Sequence, residues 1–350
     1  MNVLSVSRDG ASEEVWADFL SRNPGLPPIG GPEWKAVLHE AYGCELECLI
    51  ARGPEHKPAG TLAFHIAKDI AGRRRLFSAP WGMVCESDIV AAALARAATD
   101  IARERGCVAA TISSGASLHQ LPYRHRIRQT FVFDLTPDTE TVWARLRSKT
   151  RNSIRHGQKS GLKVVRGWRP LKDFFRVYSA RMTEKSVPFH NFKYFQAAAE
   201  MLGPRGEIFA AYRNDRVEAA MLVVYGRQIA SYNWGAVNPG AESVRAGQFL
   251  LWEIVRACVE RGLRSLDLGE SAAGSGTHSF KTEFGAQPLD VHYYDLLSAN
   301  TGPAVGGSPS STPSPRLSFF GRTERWVTDH LPAAARSKLL MMQCRGTRLF

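Results

Sequence analysis

Two stretches of this chain close a long helix in the same way: IARERGCVAATI at 101–112 and RACVERGLRSLDL at 256–268. Each reads as the last helical turn, a glycine stop and a short strand. What precedes each is alike. In the first half, strands fall near 46–51, 59–66 and 73–78, before an alanine-rich helix at 87–104 and a strand at 107–112. In the second half, strands fall near 207–212, 218–225 and 228–234, before a helix at 245–260 and a strand at 264–268. Helix–ERG–strand is a common stop and could recur by chance. The shared element order and similar lengths favour a duplication at domain scale. The fold class expected is α/β (α+β), with two tandem lobes.

A chain of 350 residues is long enough for two cores. Its 44% apolar and 22% charged residues are those of a globular protein, which argues against disorder over most of the length. The division expected is an N-terminal lobe at 1–137 and a C-terminal lobe at 138–297, entered through a basic helix. A flexible Ser/Pro/Gly tether at 298–320 and a helical tail at 321–350 follow. No run is long and apolar enough to span a bilayer, and no signal peptide is seen. The expectation is therefore a cytoplasmic protein, with peripheral contact at the inner membrane face left open. The six cysteines are scattered, and Cys44 and Cys48 have no second ligand pair at a finger-like distance, so no metal site is expected.

The net charge of +12 points to an anionic partner, against the plainer alternative of a basic surplus that only aids solubility. Much of it sits in RLRSKTRNSIRHGQKSGLKVV, where Arg147, Arg151 and Arg155 share a helical face. Such a face can fork onto phosphates or an RNA backbone, or can be merely solvated.

Two segments carry candidate chemistry. In SYNWGAVNPGAESVRAGQFLLWEIV, a strand bearing Trp234 leads through a loop to a helix start at Arg245 and Gln248. A helix N-terminus suits phosphate or carboxylate. In GESAAGSGTHSFKTEFGA, residues 269–286, small residues follow a strand end, so a ligand can approach Ser271, Gly276 and Thr277 closely. It is not a Walker loop. Lys281 beside this loop can stabilise a tetrahedral oxyanion, and Asp267, Glu270 or Glu283 can accept a proton from an amine. Pairing with arginines is the structural alternative for each carboxylate. No histidine triad or nucleophile elbow is present, so covalent catalysis is not expected.

These blocks resemble the FemAB-like branch of the GNAT acyltransferases. The run KTRNSIRHGQKSGLKV resembles the basic helix and Lys-x-Gly turn of that family. FFRVYSARMTEKSVPFHNFKYF, with Arg181, resembles the next block. AGQFLLWEIVRACVERGLRSLDLGES and GTHSFKTEFGAQPL resemble the closing block, with its Phe-Lys-x-x-Phe-Gly at Phe280, Lys281 and Phe284. The likeness is nearest to members associated with exosortase and exopolysaccharide systems. It implies two GNAT-like lobes, each a mixed, mostly antiparallel sheet flanked by helices. It also implies transfer of an acyl or aminoacyl group to an amine of a peptidoglycan or exopolysaccharide precursor, an anionic small molecule or a lipid-linked one. The donor implied is aminoacyl-tRNA, with acyl-CoA or acyl carrier protein as the alternative and no permanently bound cofactor. Lys281 matches the transition-state lysine, and Arg151 or Arg155 the phosphate-contacting region. The pattern departs from the family in two places: no coiled arm fits at 148–161, and Glu270 stands where related proteins often carry a basic residue. A non-catalytic scaffold is the third reading.

Overall fold

The computed structural model describes residues 5–7, 13–69, 71–118, 121–299, 335–339 and 341. In chain order the first half forms β1 (Ser5–Ser7), α1 (Glu13–Ser21), α2 (Trp34–Tyr42), β2 (Leu46–Arg52), β3 (Pro58–Lys68), β4 (Arg74–Cys85), α3 (Asp88–Glu104), β5 (Cys107–Ser114) and β6 (Tyr123–Asp134). The second half forms α4 (Thr139–Arg145), α5 (Ser148–Lys159), β7 (Lys163–Gly167), α6 (Leu171–Glu184), α7 (Phe192–Leu202), β8 (Gly206–Arg213), β9 (Arg216–Tyr225), β10 (Ile229–Val237), α8 (Ala246–Glu260), β11 (Ser265–Glu270), α9 (Gly276–Phe284) and β12 (Gln287–Ala299). Helix α3 starts as its sequence dictates: the Ser87 hydroxyl accepts from the Val90 N–H, an N-cap that satisfies an otherwise orphan donor.

All twelve strands among the described residues join one sheet, in the order β1-β2-β3-β4-β5-β12-β6-β11-β10-β9-β8-β7. The duplication is visible in its pairing. Strands β2, β3 and β4 are antiparallel, and α3 crosses to a parallel β5. Strands β8, β9 and β10 are antiparallel, and α8 crosses to a parallel β11. The next strand of each half then changes sides. β6 pairs with β11, β12 pairs with β5, and the two pair with each other in the centre.

The cores follow this exchange. One apolar cluster mixes Phe131, Phe133 and Leu135 of the first half with α8 and β11. Another sets Tyr294 and Leu296 of β12 among β2–β5 and α3. A third lies between the lobes, where Trp34, Tyr42, Tyr194 and Trp234 pack together. His190 is buried there, bonded to the Tyr42 hydroxyl at 2.8 Å, and burial pushes its pKa down to about 3. It is therefore neutral at ordinary pH and acts as a ring in this interface.

Strand β12 runs to Ala299, two residues into the segment read from sequence as tether. The rest of the tether and most of the tail lie outside the described residues. Within the tail, residues 335–339 are helical and Met341 packs against the inter-lobe cluster.

Candidate active site

Strands β10 and β11 run parallel only from Ile229↔Ser265 to Ser231↔Asp267. Beyond that, both are irregular. β10 shifts register at Asn233, and β11 shifts between Asp267 and Glu270. A bulge turns backbone groups and side chains away from the ladder, and here the two strands part around a cleft of about 1260 Å³. Gly269 lies at φ +75, and a Cβ there would come within 2.7 Å of Asn233 Oδ1, so this close approach requires glycine.

Helix α9 delivers the lysine. Ser275 caps its start by accepting from the His278 N–H. Gly285 ends it at φ +107. Phe280 and Phe284, one turn apart, face the first cluster, and Phe284 meets Phe133 edge-on at 5.5 Å. From α5, the Thr150 hydroxyl donates to the Glu283 carbonyl at 2.8 Å. The helix is thus held on three sides, and Lys281 points into the cleft with only 7% of its surface exposed.

Its ammonium donates to the carbonyls of Gly269 at 2.8 Å and Glu270 at 3.2 Å and lies 5.7 Å from the Phe131 ring centre. An ammonium has three N–H donors, so one remains for a ligand. Burial lowers the Lys281 pKa to about 8, against the opposing pull of Asp267 and Glu270. Asp267 is 4% exposed. Burial raises its pKa, while bonds from the Thr130 hydroxyl and the Gly269 N–H moderate the rise. Glu270 accepts from the Tyr293 hydroxyl and pairs with Arg128 at 3.1 Å. Arg128 and Tyr293 come from β6 and β12, so the exchanged strands furnish the floor of this site.

Arg181, Arg245, Gln248, Ser271, Gly276, Thr277 and Phe280 also line the cleft. Arg245 takes the left-handed conformation (φ +54) at the N-cap of α8, whose first turn, with Gly247 and Gln248, opens onto the cleft. Among the described residues, five cations (Arg128, Arg181, Lys185, Arg245 and Lys281) face three carboxylates (Glu242, Asp267 and Glu270) in its lining. This balance suits an anionic ligand. Two side-chain atoms that line it, Asn233 Oδ1 and Ser271 Oγ, are buried with no hydrogen-bond partner.

Five of the residues expected from sequence to bind substrate lie elsewhere. Arg147, Arg151 and Arg155 do not line the cleft. Arg151 donates to the Ala144 and Leu146 carbonyls, closing the end of α4. Arg155 lies over the Trp143 ring at 5.4 Å. Arg147 is the exposed N-cap of α5. The buried side of α5 is instead Thr150, Ile154 and Gly157, with Gly157 against Phe249 of α8, so the shared arginine face is not the one packed inward. Trp234 belongs to the inter-lobe cluster and Phe284 to the first cluster, both as core. Sequence reasoning missed Arg128, Thr130, Lys185, Asn233 and Tyr293. An arginine at every second position of YRHRIRQ was the available signal for Arg128.

Residues 144–282 match the family model described as an acetyltransferase (GNAT) domain. The chain carries a GNAT-type domain over those residues, and as a whole it shares the fold of FemX and of tandem GNAT structures. FemX superposes with a TM-score of 0.66 at 12% identity, over 82% of this chain and 96% of that one. A tandem GNAT protein from the clavulanic acid biosynthesis pathway gives 0.55 at 13%, over 85% and 100%. The C-terminal domain of a putative lysylphosphatidylglycerol synthetase from Agrobacterium fabrum gives 0.55 at 12%, over 82% and 92%. No curated protein matches in sequence. Among the described residues, no helix is long and apolar enough to cross a membrane, and no group of three or more His, Cys, Asp or Glu could hold a metal ion.

Proposed function

We propose that this GNAT protein transfers an acyl or aminoacyl group to an amine on an anionic cell-envelope precursor, of peptidoglycan or exopolysaccharide. The observation that carries the reading is the buried Lys281 ammonium, held by two β11 carbonyls with one donor left over, beside the buried Asp267 carboxyl. When an amine attacks an ester or thioester carbonyl, negative charge develops on the carbonyl oxygen. A preorganised donor in a site of low dielectric stabilises that charge most. Asp267, its pKa raised by burial, is suited to take the proton that the amine sheds and to return it to the ester oxygen or thioester sulfur, which leaves as the tetrahedral intermediate collapses to the amide. The α8 N-terminus with Arg245, together with Arg181 and Lys185, would hold the phosphates of donor and precursor. The open cleft at Lys281 favours an enzyme over a scaffold with a filled site.

The donor is proposed as aminoacyl-tRNA, with acyl-CoA or acyl carrier protein as the second reading, favoured by the GNAT acetyltransferase match at 144–282. The test is a transfer assay with labelled aminoacyl-tRNA, acetyl-CoA, a long-chain acyl-CoA and acyl carrier protein, each with a UDP-linked muropeptide. Label moving to the muropeptide amine from aminoacyl-tRNA supports the first reading. Label moving only from a thioester supports the second. Silence with every donor removes the transferase proposal.

Asn233 is expected to orient the amine, because its buried Oδ1 has no protein donor. Leaving such an acceptor unmet costs about 1–3 kcal/mol. Asn233→Leu should therefore raise KM for the amine substrate about tenfold, with KM for the donor unchanged. Steady-state kinetics with each substrate varied in turn checks this. An equal rise in both constants would argue for general distortion instead.

A further inference from the structure

A second cavity, of about 610 Å³, lies at the seam of the two lobes, apart from Lys281 and Asp267. It is two-faced. The first lobe contributes an apolar wall from α1 and the proline-rich loop after it, with Trp16, Leu20, Leu26 and Ile29. The second lobe contributes Arg205, Arg227 and Arg261, from three separate turns and helix ends. Among the described residues, Glu33 is the only carboxylate lining it, so the cavity carries an excess of positive charge.

The arginines are fixed without being used up. Arg205 donates to Glu33 at 2.9 Å and Arg227 to the Ser21 carbonyl at 3.2 Å. Arg261 donates to Glu207 at 3.3 Å and lies over the Tyr225 ring at 4.0 Å. A guanidinium has five N–H donors, so each keeps several for a ligand. The volume is within the range of small-molecule sites.

The cavity abuts the reaction cleft. Pro27, Pro80 and Trp81 line both. Trp81 sits where β4 breaks register, at φ +51, a conformation that costs a bulky residue free energy. Its ring lies so close to Gly115 that a Cβ there would come within 3.0 Å of it. An aromatic ring on a strained backbone is thus part of the wall that the two cavities share.

We infer that this second cavity binds an anionic amphiphile, with the anion on Arg205, Arg227 and Arg261 and the chain along the proline-loop wall toward Trp81. A plain anion would leave the apolar wall unused, and a neutral chain would leave the arginines unmet. The inference does not depend on the transferase reading, since its readout is binding.

The test is calorimetric titration of the full chain with decyl phosphate, decanol and inorganic phosphate, below the aggregation concentration of the detergent. Decyl phosphate should bind at least tenfold tighter than either of the others. Arg227→Glu, and Ala17→Trp at an exposed position on the cavity's edge, should each weaken it tenfold or more. Lys281→Met, in the reaction cleft, should leave it within twofold. Melting curves establish that each variant folds. The inference is overturned by equal binding of decanol, by no binding at all, or by loss in Lys281→Met with both cavity variants unaffected.

Discussion

Lys281→Met is expected to lower kcat roughly a hundredfold or more, with melting temperature close to that of the parent. The two halves of this expectation have separate causes. Methionine fills much the same volume beside Phe131, so the packing of α9 is kept. Its loss of donors strands the Gly269 and Glu270 carbonyls, at about 1–3 kcal/mol. Against that, an ammonium is no longer buried, which removes a comparable penalty. What nothing offsets is the missing donor in the transition state.

The same lysine is expected to set the alkaline limb of the pH profile. Its pKa is about 8, below the ordinary value of 10.5, because burial disfavours the charged form. The ammonium is therefore present below pH 8 and lost above it. The kcat should fall as pH rises through about 8. Lys281→Arg, which stays charged throughout, should shift or abolish that limb even if its absolute rate is lower. A pH–kcat series on the parent and the arginine variant measures this. A parent profile flat to pH 10, or turnover of Lys281→Met within tenfold of the parent, would falsify the oxyanion role.

How much of this was readable in the sequence depended on how local each feature is. Helix α3 and its Ser87 cap, the glycine stops and the position of Lys281 after a small-residue loop are set by residues a few positions apart. They were legible. Strands β6 and β12 were not. The outer half of β6 alternates Arg124, Arg126 and Arg128, a pattern that resembles a solvated edge. It is tolerated at the centre of the sheet because Asp295 and Glu270, more than a hundred positions away, pair with Arg126 and Arg128. The same distance hid the site's floor. Glu270 looked out of place in sequence, where related proteins often carry a base, and in the fold its charge is met by Arg128. The basic helix misled for the opposite reason. Its periodicity was clear, but periodicity says which residues share a face and not which face meets the cleft.

The exchange of β6 and β12 leads to the second large effect. The segments 1–137 and 138–350 should not fold apart, although the boundary between them is the natural one by sequence. The first alone would keep β6 with neither of its partners, β11 and β12, and would leave β5 unpaired on the side that β12 covers. The second alone would lose β6 from between β11 and β12. Each fragment would expose a row of unpaired backbone groups at what is the middle of the sheet, along with aromatic residues such as Phe131 and Tyr294 that are fully or nearly buried in the whole chain. Burial of one such ring contributes about 1.5–3 kcal/mol, and a domain's net stability is only about 5–15 kcal/mol. Losing several rings and two ladders at once should remove cooperative folding altogether. Expressed singly, the fragments should aggregate or melt without a transition. Expressed together, they should copurify one to one and melt as a unit. A sharp calorimetric transition from either fragment alone would mean that the lobes are independent and that the exchanged strands add little to either.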